Sequence, residues 1–285
     1  MLASGILGIS QNIFERLYNE NIGAVVTKSI SVNPMKGYPN PTVIPLGAGS
    51  YLNAVGLSNP GVNAFSKELS HNKIIPIFIS LVGSSEKDFS RMVKTFDSLN
   101  ILGYEINLSC PHVSKMGMEV GDDPEAVNKI VKTVRMNTNK PISVKVGVGS
   151  IDVVELARVA VNAGANIITA INTLRAMSID IETMMPILSN RIGGLSGSAI
   201  KPIGIRCVYE ISKKLEVPVI GCGGVSSWKD VVEYMIAGAS AVQVGSVLGS
   251  KGPRIFNQIT KALKNYVEKK ELKNISEIIG IAHKY

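Results

Sequence analysis

Apolar residues recur along the chain in short, nearly continuous runs rich in branched side chains, and longer amphipathic stretches separate these runs. Eight runs have this form: Leu2–Leu7, Ala24–Ile30, Ile77–Val82, Tyr104–Leu108, Ile142–Val146, Ile167–Ile171, Val217–Ile220 and Ala241–Val244. Strands that are apolar on both faces are typical of a parallel sheet covered by helices. The pattern therefore predicts an α/β fold with eight parallel strands.

The stretches between the runs carry helix-start signals. Ser85-x-x-Asp88 and Ser227-x-x-Asp230 resemble capping boxes. Asp122-Asp123-Pro124-Glu125 offers a capping side chain, a proline suited to the first turn and acidic residues that a helix N-terminus favours. Helices are therefore expected to begin at these three places.

A weak internal repeat supports a barrel. Ala163-Gly164-Ala165 and Ala237-Gly238-Ala239 each fit a helix that ends at glycine just before a strand. Eight strand–helix units favour a (β/α)8 TIM barrel over an open doubly wound sheet. Barrels of this kind reach the length of this chain as one unit, so residues 1–285 are predicted to form a single domain.

One segment does not fit the repeat. Gly37–Asn63, after the second strand, is uncharged and contains Pro39, Pro41, Pro45 and Pro60, which exclude a membrane-spanning helix. Long loops are usually functional or disordered, and the apolar content of this one argues against disorder. We expect a loop insertion over the C-terminal face of the barrel that covers and contacts a substrate.

Composition narrows the function classes. Hydrophobic residues make up 45% of the chain and charged residues 18%, which describes a globular protein. The net charge of +8 is scattered and aromatic residues make up only 5%, which disfavours nucleic-acid binding and fits an anionic small molecule. Met1–Ser10 makes a poor signal peptide, and three distant cysteines lack disulfide or metal-ligand spacing. A cytoplasmic protein without metal or membrane association is expected.

Glycines follow the last two predicted strands, as Gly221-Cys222-Gly223-Gly224 and Gly245-Ser246. Barrels commonly bind phosphate with the loops after strands seven and eight, where backbone N–H groups can approach an anion. Glycines after strands are also ordinary turn residues. Their occurrence after two neighbouring strands favours a phosphate site.

Lysines and asparagines occur around the same predicted barrel mouth. Lys28 and Lys145 lie near strand ends, where a buried ammonium needs an anion or an electron-rich ring. With a phosphate site, they favour FMN over a simple sugar phosphate, because Lys145 could stabilise negative charge on a reduced flavin ring. Asn53, Asn107 and Asn172 offer donors and acceptors suited to a small ring of amides and carbonyls, although Asn53 also fits a turn.

A cysteine completes the pattern. Cys110 follows the fourth strand within Asn107-Leu108-Ser109-Cys110-Pro111. Strand ends are where parallel α/β folds place their chemistry, so Cys110 is a candidate catalytic thiol. A small buried hydrophobe is the competing interpretation.

These motifs together resemble the dihydroorotate dehydrogenase family, class 1, and most nearly the type with a separate electron-transfer subunit. The resemblance spans nearly the whole chain and is carried by Thr27-Lys28-Ser29, Asn53–Leu57, Glu105–Pro111, Ile171-Asn172-Thr173, Gly193–Gly197 through Lys201-Pro202, Gly221–Gly224 and Gly245-Ser246. It implies an FMN enzyme that oxidises dihydroorotate to orotate in pyrimidine synthesis. Cys110 would remove a proton from the ring carbon beside a carbonyl, and hydride from the neighbouring carbon would pass to FMN.

The resemblance also implies roles for the surrounding residues. Substrate contacts fall on Lys28, Asn53, Val55, Gly56, Leu57, Asn107, Asn172 and Thr173. Flavin contacts fall on Ser4, Lys28, Ser29, Asn107, Lys145, Ile171, Gly197, Gly223, Gly224, Gly245 and Ser246. Two positions depart from the family pattern: His112 stands where a substrate-contacting asparagine is usual, and Ser80 where a flavin-contacting asparagine is frequent.

Partners and alternatives stay open at this stage. By resemblance, the chain forms a homodimeric core with a subunit that carries FAD and an iron–sulfur cluster, and NAD, fumarate and a quinone are all candidate final acceptors. A flavin barrel acting on another dihydropyrimidine is one alternative. A barrel that binds a phosphorylated metabolite without redox chemistry is the other, and it would be colourless.

Overall fold

The computed structural model describes residues 1–70, 72, 75–108 and 123–285. Its strands are β1 (Val25–Val26), β2 (Val43–Gly47), β3 (Ser50–Asn53), β4 (Ile77–Leu81), β5 (Gly103–Asn107), β6 (Ile142–Val146), β7 (Ile167–Ala170), β8 (Leu174–Met177), β9 (Ile179–Asp180), β10 (Met185–Pro186), β11 (Ile192–Gly197), β12 (Val219–Cys222) and β13 (Ala239–Gln243). Its α-helices are α1 (Gln11–Tyr18), α2 (Val62–Leu69), α3 (Glu86–Phe96), α4 (Pro124–Met136), α5 (Val153–Asn162), α6 (Lys201–Lys214), α7 (Trp228–Ile236), α8 (Leu248–Lys251) and α9 (Ile255–Lys269).

Seven strands form one parallel sheet that curls into a barrel. Their order, β1-β4-β5-β6-β7-β12-β13, is also their order in the sequence. Leu2 closes the ring, since it pairs in parallel with both Val25 and Val244. The Leu2 N–H donates to Ala24 O at 3.0 Å, and the Ala3 N–H donates to Val244 O at 2.9 Å. The predicted (β/α)8 barrel is confirmed, with its first strand reduced to a single pairing residue.

The ends of several strands differ from the sequence prediction. The first run, Leu2–Leu7, was expected to be a strand, but beyond Leu2 it turns at Gly5, whose φ is +86°. A second difference is that β12 ends two residues after the predicted run. This extension carries Cys222 into the barrel wall directly before Gly223 and Gly224.

Alternate residues of a strand point to opposite faces of the sheet, and in β6 both faces are covered. In β6, Ile142, Val144 and Val146 belong to the main apolar cluster together with helix residues such as Val131 of α4. The intervening Ser143 and Lys145 are also buried. Because all five positions are covered, β6 is shielded on both faces, as expected for a parallel barrel strand.

A second sheet lies over the carboxyl ends of the barrel strands. It is antiparallel, in the order β2-β3-β11-β8, and joins the segment after β1 to the segment after β7. Asn53 pairs with Gly194, and Ser50 pairs with Gly197. Leu52, Ala54 and Leu188 form its own small buried cluster. We refer to this sheet as the cover sheet; it confirms the expected insertion, whose β-structure the sequence pattern did not reveal.

Helices begin at all three predicted places, at Glu86, Pro124 and Trp228. Ser85 and Asp88 make both bonds of a capping box at α3, and the Asp123 side chain accepts from two N–H groups at the start of α4. Asp122 lies outside the described residues. At α7 the expected capping box is wrong: Ser227 makes no side-chain cap bond, because its hydroxyl donates to Asp230 at 3.0 Å.

Among the helices in the described part of the chain, none combines the length and apolar character needed to cross a bilayer.

Candidate functional site

A cavity of about 1390 Å³ lies between the barrel mouth and the cover sheet. Residues from the carboxyl end of every barrel strand line it, together with residues of β3, β8 and β11. Such a position is where barrels of this type place their active sites. The cavity is therefore the candidate active site.

The structure brings nearly all the predicted site residues to this cavity. Its lining includes Ser4, Lys28, Ser29, Asn53, Val55, Gly56, Leu57, Asn107, Lys145, Ile171, Asn172, Thr173, Gly197, Gly223, Gly224, Gly245 and Ser246. Cys110, the predicted catalytic base, and His112 lie outside the described residues. Ser80 is fully buried and does not line the cavity.

Glycines shape one end of the cavity. Gly197, Gly223 and Gly224 all adopt positive φ angles, of +88°, +126° and +69°. A Cβ on Gly197 would lie 2.1 Å from Gly49 O, so no side chain fits there. Bare backbone next to the start of the fourteen-residue helix α6 gives N–H groups and a partial positive charge. This end, which we call the glycine cradle, suits a phosphate group.

A line of hydrogen-bonded polar side chains crosses the cavity floor. Asn172 Nδ2 donates to Asn107 Oδ1 at 3.0 Å, and Asn107 Nδ2 donates to Ser29 Oγ at 3.0 Å. The Ser29 hydroxyl in turn pairs with the Ser80 hydroxyl at 2.9 Å. Ser80 therefore stands behind Ser29, and the two asparagine amides are held in fixed orientations for a ligand rich in amides and carbonyls.

The cover sheet supplies the opposite wall. Asn53 Nδ2 donates to Gly194 O at 3.0 Å, which ties β3 to β11 above the cavity. Gly56 has a φ of +73°, and a Cβ there would lie 2.7 Å from Tyr38 N. The backbone from Asn53 to Leu57 is therefore packed tightly against the segment at Tyr38.

Lys145 presents an ammonium group from the barrel interior. Its Nζ lies 3.3 Å from Ser4 Oγ, 3.2 Å from Gln243 Oε1 and 3.9 Å from Glu105 Oε1. Burial alone would lower the pKa of this ammonium, but the neighbouring Cys222 and Glu105 raise it by more. Lys145 therefore presents a positive charge at the cavity floor at neutral pH.

Lys28 is a second cation on the wall. Its side chain is half-buried, and burial lowers the pKa of its ammonium. Because an ammonium is costly to bury alone, this position favours an anionic ligand group nearby.

Sequence reasoning missed several lining residues. Gln243 lies in the cavity wall and Glu105 directly beneath it, both about 1% exposed. In the sequence, each of the two is a polar residue within an apolar run. Such a residue can equally face solvent, so the pattern alone did not mark a buried site. Tyr38, Tyr51 and Arg175 reach the cavity from the insertions, where no periodic pattern marked them.

The described residues contain no group of three or more histidine, cysteine or acidic side chains placed to hold a metal ion. The donor set of the cavity instead combines an anion cradle, two ammonium groups and a row of amides. That set fits a phosphorylated aromatic cofactor, with the cradle for its phosphate and Lys145 for its ring.

The fold and the cavity define a parallel (β/α)8 barrel of the kind that has its active site at the carboxyl ends of its strands. The chain belongs to the dihydroorotate dehydrogenase family, whose sequence model matches residues 1–267. This family is flavin-dependent in general.

Curated relatives match over the full length of the chain. The catalytic subunit of dihydroorotate dehydrogenase B (NAD(+)) from Pyrococcus furiosus is 41% identical over 285 residues, covering 100% of this chain and 94% of the relative. The protein of the same name from Archaeoglobus fulgidus is 44% identical, covering 99% and 94%. That from Methanothermobacter thermautotrophicus is 40% identical, covering 99% and 94%.

Proposed function

We propose that this chain oxidises dihydroorotate to orotate with bound FMN, as a step of pyrimidine biosynthesis. The observation that carries the proposal is the single cavity that gathers seventeen of the eighteen predicted site residues at the barrel mouth. The full-length similarity to proteins named dihydroorotate dehydrogenase supports it. No observation on the structure favours a second substrate class.

FMN fits the residues of the cavity. Gly197, Gly223 and Gly224 would hold its phosphate, because their bare backbone leaves room for an anion. Lys145 would face the flavin ring and favour its reduced, negatively charged form. When bound, FMN supplies the hydride acceptor for the reaction.

The substrate would bind between the flavin and the cover sheet. Asn107 and Asn172, whose amides are oriented by their mutual bond, would contact the ring carbonyls and N–H groups of dihydroorotate. Asn53 would contact it from the opposite wall, and Lys28 would pair with its carboxylate. Binding from two sides excludes water from the reacting carbons.

Cys110 would act as the general base. It follows Asn107 by three positions in the sequence, and Asn107 lines the cavity. In the proposed reaction the Cys110 thiolate takes the proton from the ring carbon next to a carbonyl, while the neighbouring carbon loses hydride, so that a carbon–carbon double bond forms. A cationic lysine of the cavity wall would favour this thiolate over the thiol.

Electrons would leave through a second protein. The relatives are named as catalytic subunits of an NAD(+)-linked enzyme. Iron–sulfur clusters are usually held by four cysteines, and this chain has three that are far apart. We therefore propose an electron-transfer subunit with FAD and an iron–sulfur cluster, docked on a homodimeric core of this chain.

The test is anaerobic mixing of the flavin-loaded protein with dihydroorotate. Bleaching of the flavin absorbance, with formation of one orotate per flavin, is expected. A yellow protein that stays oxidised with dihydroorotate would contradict the proposed substrate and favour another dihydropyrimidine. A protein that takes up no FMN would contradict the flavin assignment as well.

Alanine variants of two cysteines distinguish the role of Cys110 from the general effects of losing a thiol. Cys110→Ala should slow flavin reduction by a factor on the order of 100 to 10,000 while FMN stays bound, as is usual on loss of a general base. Cys207→Ala is the matched control, because Cys207 is buried in α6 and does not line the cavity. Equal reduction rates in the two variants would contradict the assignment of Cys110.

A further inference from the structure

Two opposite charges are buried together inside the barrel. Glu105 of β5 and Lys145 of β6 are 1% and 4% exposed, and Glu105 Oε1 lies 3.9 Å from Lys145 Nζ. At that distance the two groups attract each other without a direct hydrogen bond. A buried charge needs a partner, and each of these residues offers the other its opposite charge.

An amide connects the two charges. Gln243 Nε2 donates to Glu105 Oε2 at 2.6 Å, and Gln243 Oε1 accepts from Lys145 Nζ at 3.2 Å. A carboxylate can only accept hydrogen bonds, so Glu105 requires the NH2 end of the Gln243 amide. The carbonyl end is thereby turned toward Lys145. In the opposite orientation the amide would present donors to the ammonium, which can only donate.

The remaining contacts of Glu105 fix its carboxylate and leave one carboxylate oxygen to face the Lys145 ammonium. Thr169 Oγ1 donates to Glu105 Oε2 at 3.1 Å, which fixes the carboxylate. Glu105 Oε1 accepts no hydrogen bond from any described residue, so its negative charge is undiminished on the side of Lys145. Within the described part of the chain, the other titratable group that acts on Lys145 is Cys222. Burial raises the pKa of that thiol, and Glu105 is the carboxylate that supplies a counter-charge, 3.9 Å from Lys145 Nζ.

We propose that Glu105 is a positioning residue for Lys145: through Gln243 it orients the ammonium, and through its own charge it keeps that ammonium cationic in the cavity, where it would face a bound flavin. This inference rests on the proposed function, since it requires a flavin in the cavity. Glu105 touches neither the cavity nor the reacting atoms, and its effect passes entirely through Lys145 and Gln243.

The proposed role of Glu105 predicts a change in the reduction potential of the bound flavin. A cation beside the ring stabilises the negative charge of the reduced flavin, so weakening or misdirecting that cation lowers the reduction potential. Glu105→Gln keeps the size of the side chain, removes its charge and offers an NH2 group that Gln243 must turn to meet. We expect this variant to shift the ratio of reduced to oxidised flavin about tenfold toward the oxidised form, which is about 30 mV for a two-electron couple.

The measurement is the midpoint potential of the flavin-loaded full chain, titrated with a chemical reductant and a reference dye rather than with dihydroorotate. Gln243→Met removes the amide at similar volume and should lower the potential in the same direction, which provides a second test if Glu105→Gln folds poorly. Ser143→Ala is the control. Ser143 lies in the same buried layer and pairs with Thr169 at 2.8 Å, so its loss should leave the potential unchanged.

A double variant tests rescue. Glu105→Gln combined with Gln243→Glu exchanges the carboxylate and the amide, and places the negative charge at the position that lies 3.2 Å from Lys145 Nζ. The potential should return to or above the wild-type value. A purely structural role of Glu105 does not predict this recovery.

The outcomes separate the two proposals. Lowered potentials in Glu105→Gln and Gln243→Met, with recovery in the double variant, support the inference. Flavin-loaded single variants whose potential equals that of the wild type overturn it, whatever the substrate proves to be. Failure of dihydroorotate to reduce the wild-type flavin counts against the proposed function alone, and failure to bind any flavin overturns both.

Discussion

Gly224, in the glycine cradle, has no room for a side chain. Its φ is +69°, and a Cβ there would lie 2.6 Å from Lys201 Cβ and 2.8 Å from Gly197 O. Gly224→Ala should therefore lower the free energy of unfolding by about 1–3 kcal/mol. It should also weaken FMN binding, since the cradle must shift. Chemical denaturation and flavin titration measure the two effects.

Gly23→Ala is the matched control for this substitution. A Cβ at Gly23 would meet no atom within 4 Å, so stability should change by less than about 0.5 kcal/mol and FMN binding should stay the same. If the two alanine variants behaved alike, the steric explanation of the cradle would be wrong.

Cys207 gives the protein a pH-dependent stability term. Burial raises the pKa of this thiol to about 11 from an ordinary value of 9.0. Above pH 9 the unfolded chain therefore loses the proton first, and the folded state is destabilised as pH rises from 9 to 11. At pH 10 this amounts to about 1.4 kcal/mol, one pH unit above the ordinary pKa.

The measurement is the unfolding free energy of wild type and Cys207→Ala at pH 8 and pH 10. The packing cost of the substitution is the same at both pH values, so the wild type should lose about 1.4 kcal/mol more than the variant between them. Parallel losses would show that the Cys207 thiol does not titrate abnormally.

For single residues, the sequence predicted the lysines and asparagines near strand ends but missed two polar side chains of the buried network. Lys28, Asn107 and Asn172 were found because polar residues at or near the ends of apolar runs point to a barrel mouth. Glu105 and Gln243 were missed, because a polar residue within a strand fits either solvent or a buried network. Only the distances across the barrel, such as 2.6 Å between these two side chains, distinguish the two.

The cover sheet is an element with a core of its own, separate from that of the barrel. Leu52 of β3 is fully buried against Ala54 and Leu188 and belongs to no other apolar cluster. Leu52→Ala should cost about 2–5 kcal/mol within this sheet. Hydrogen exchange should therefore accelerate in β2, β3, β8 and β11, while amides of β4 to β7 keep their protection.

Leu81→Ala is the corresponding change in the barrel, because Leu81 of β4 is equally buried but lies in the main cluster. That variant should accelerate exchange throughout the barrel. Mass spectrometry of exchanged peptides distinguishes the two patterns. Global acceleration in Leu52→Ala would show that the cover sheet and the barrel unfold as one unit.

A helix or strand can be predicted from the sequence when the pattern that specifies it lies within its own residues. Each of the seven barrel strands overlaps a nearly continuous apolar run, so these strands were found in the right order from the sequence. The eighth run, Leu2–Leu7, contributes only the pairing residue Leu2. Strand β8 alternates between partly buried and exposed positions, whereas β11 has four consecutive partly buried positions and contains three glycines. Strand β11 pairs with β3, more than a hundred residues earlier, and β8 pairs with β11. No local pattern records the pairing of such distant segments.

Every barrel strand contributes residues to the cavity wall. A ligand bound in the cavity should therefore stabilise the whole barrel against unfolding. A ligand that binds only the folded state stabilises it by about 2.7 kcal/mol at a concentration of 100 times its Kd. FMN should therefore raise the melting temperature by several degrees. Riboflavin, which lacks the phosphate, leaves the glycine cradle empty and should raise it less at the same concentration. Thermal unfolding followed by circular dichroism compares them, and an equal or larger shift with riboflavin would contradict the cradle as the phosphate site.

The closure of the ring by Leu2 has a consequence for biosynthesis. Leu2 bridges Val25, which is nearby in sequence, and Val244, which the ribosome adds some 240 residues later. Until then the sheet edge at Leu2 that faces Val244 is unpaired, and exposed edges invite association with other chains. Contacts between such distant residues also slow folding. The nascent chain therefore carries an open sheet for most of its synthesis, and the barrel becomes a closed, self-protected surface only when its final strand emerges.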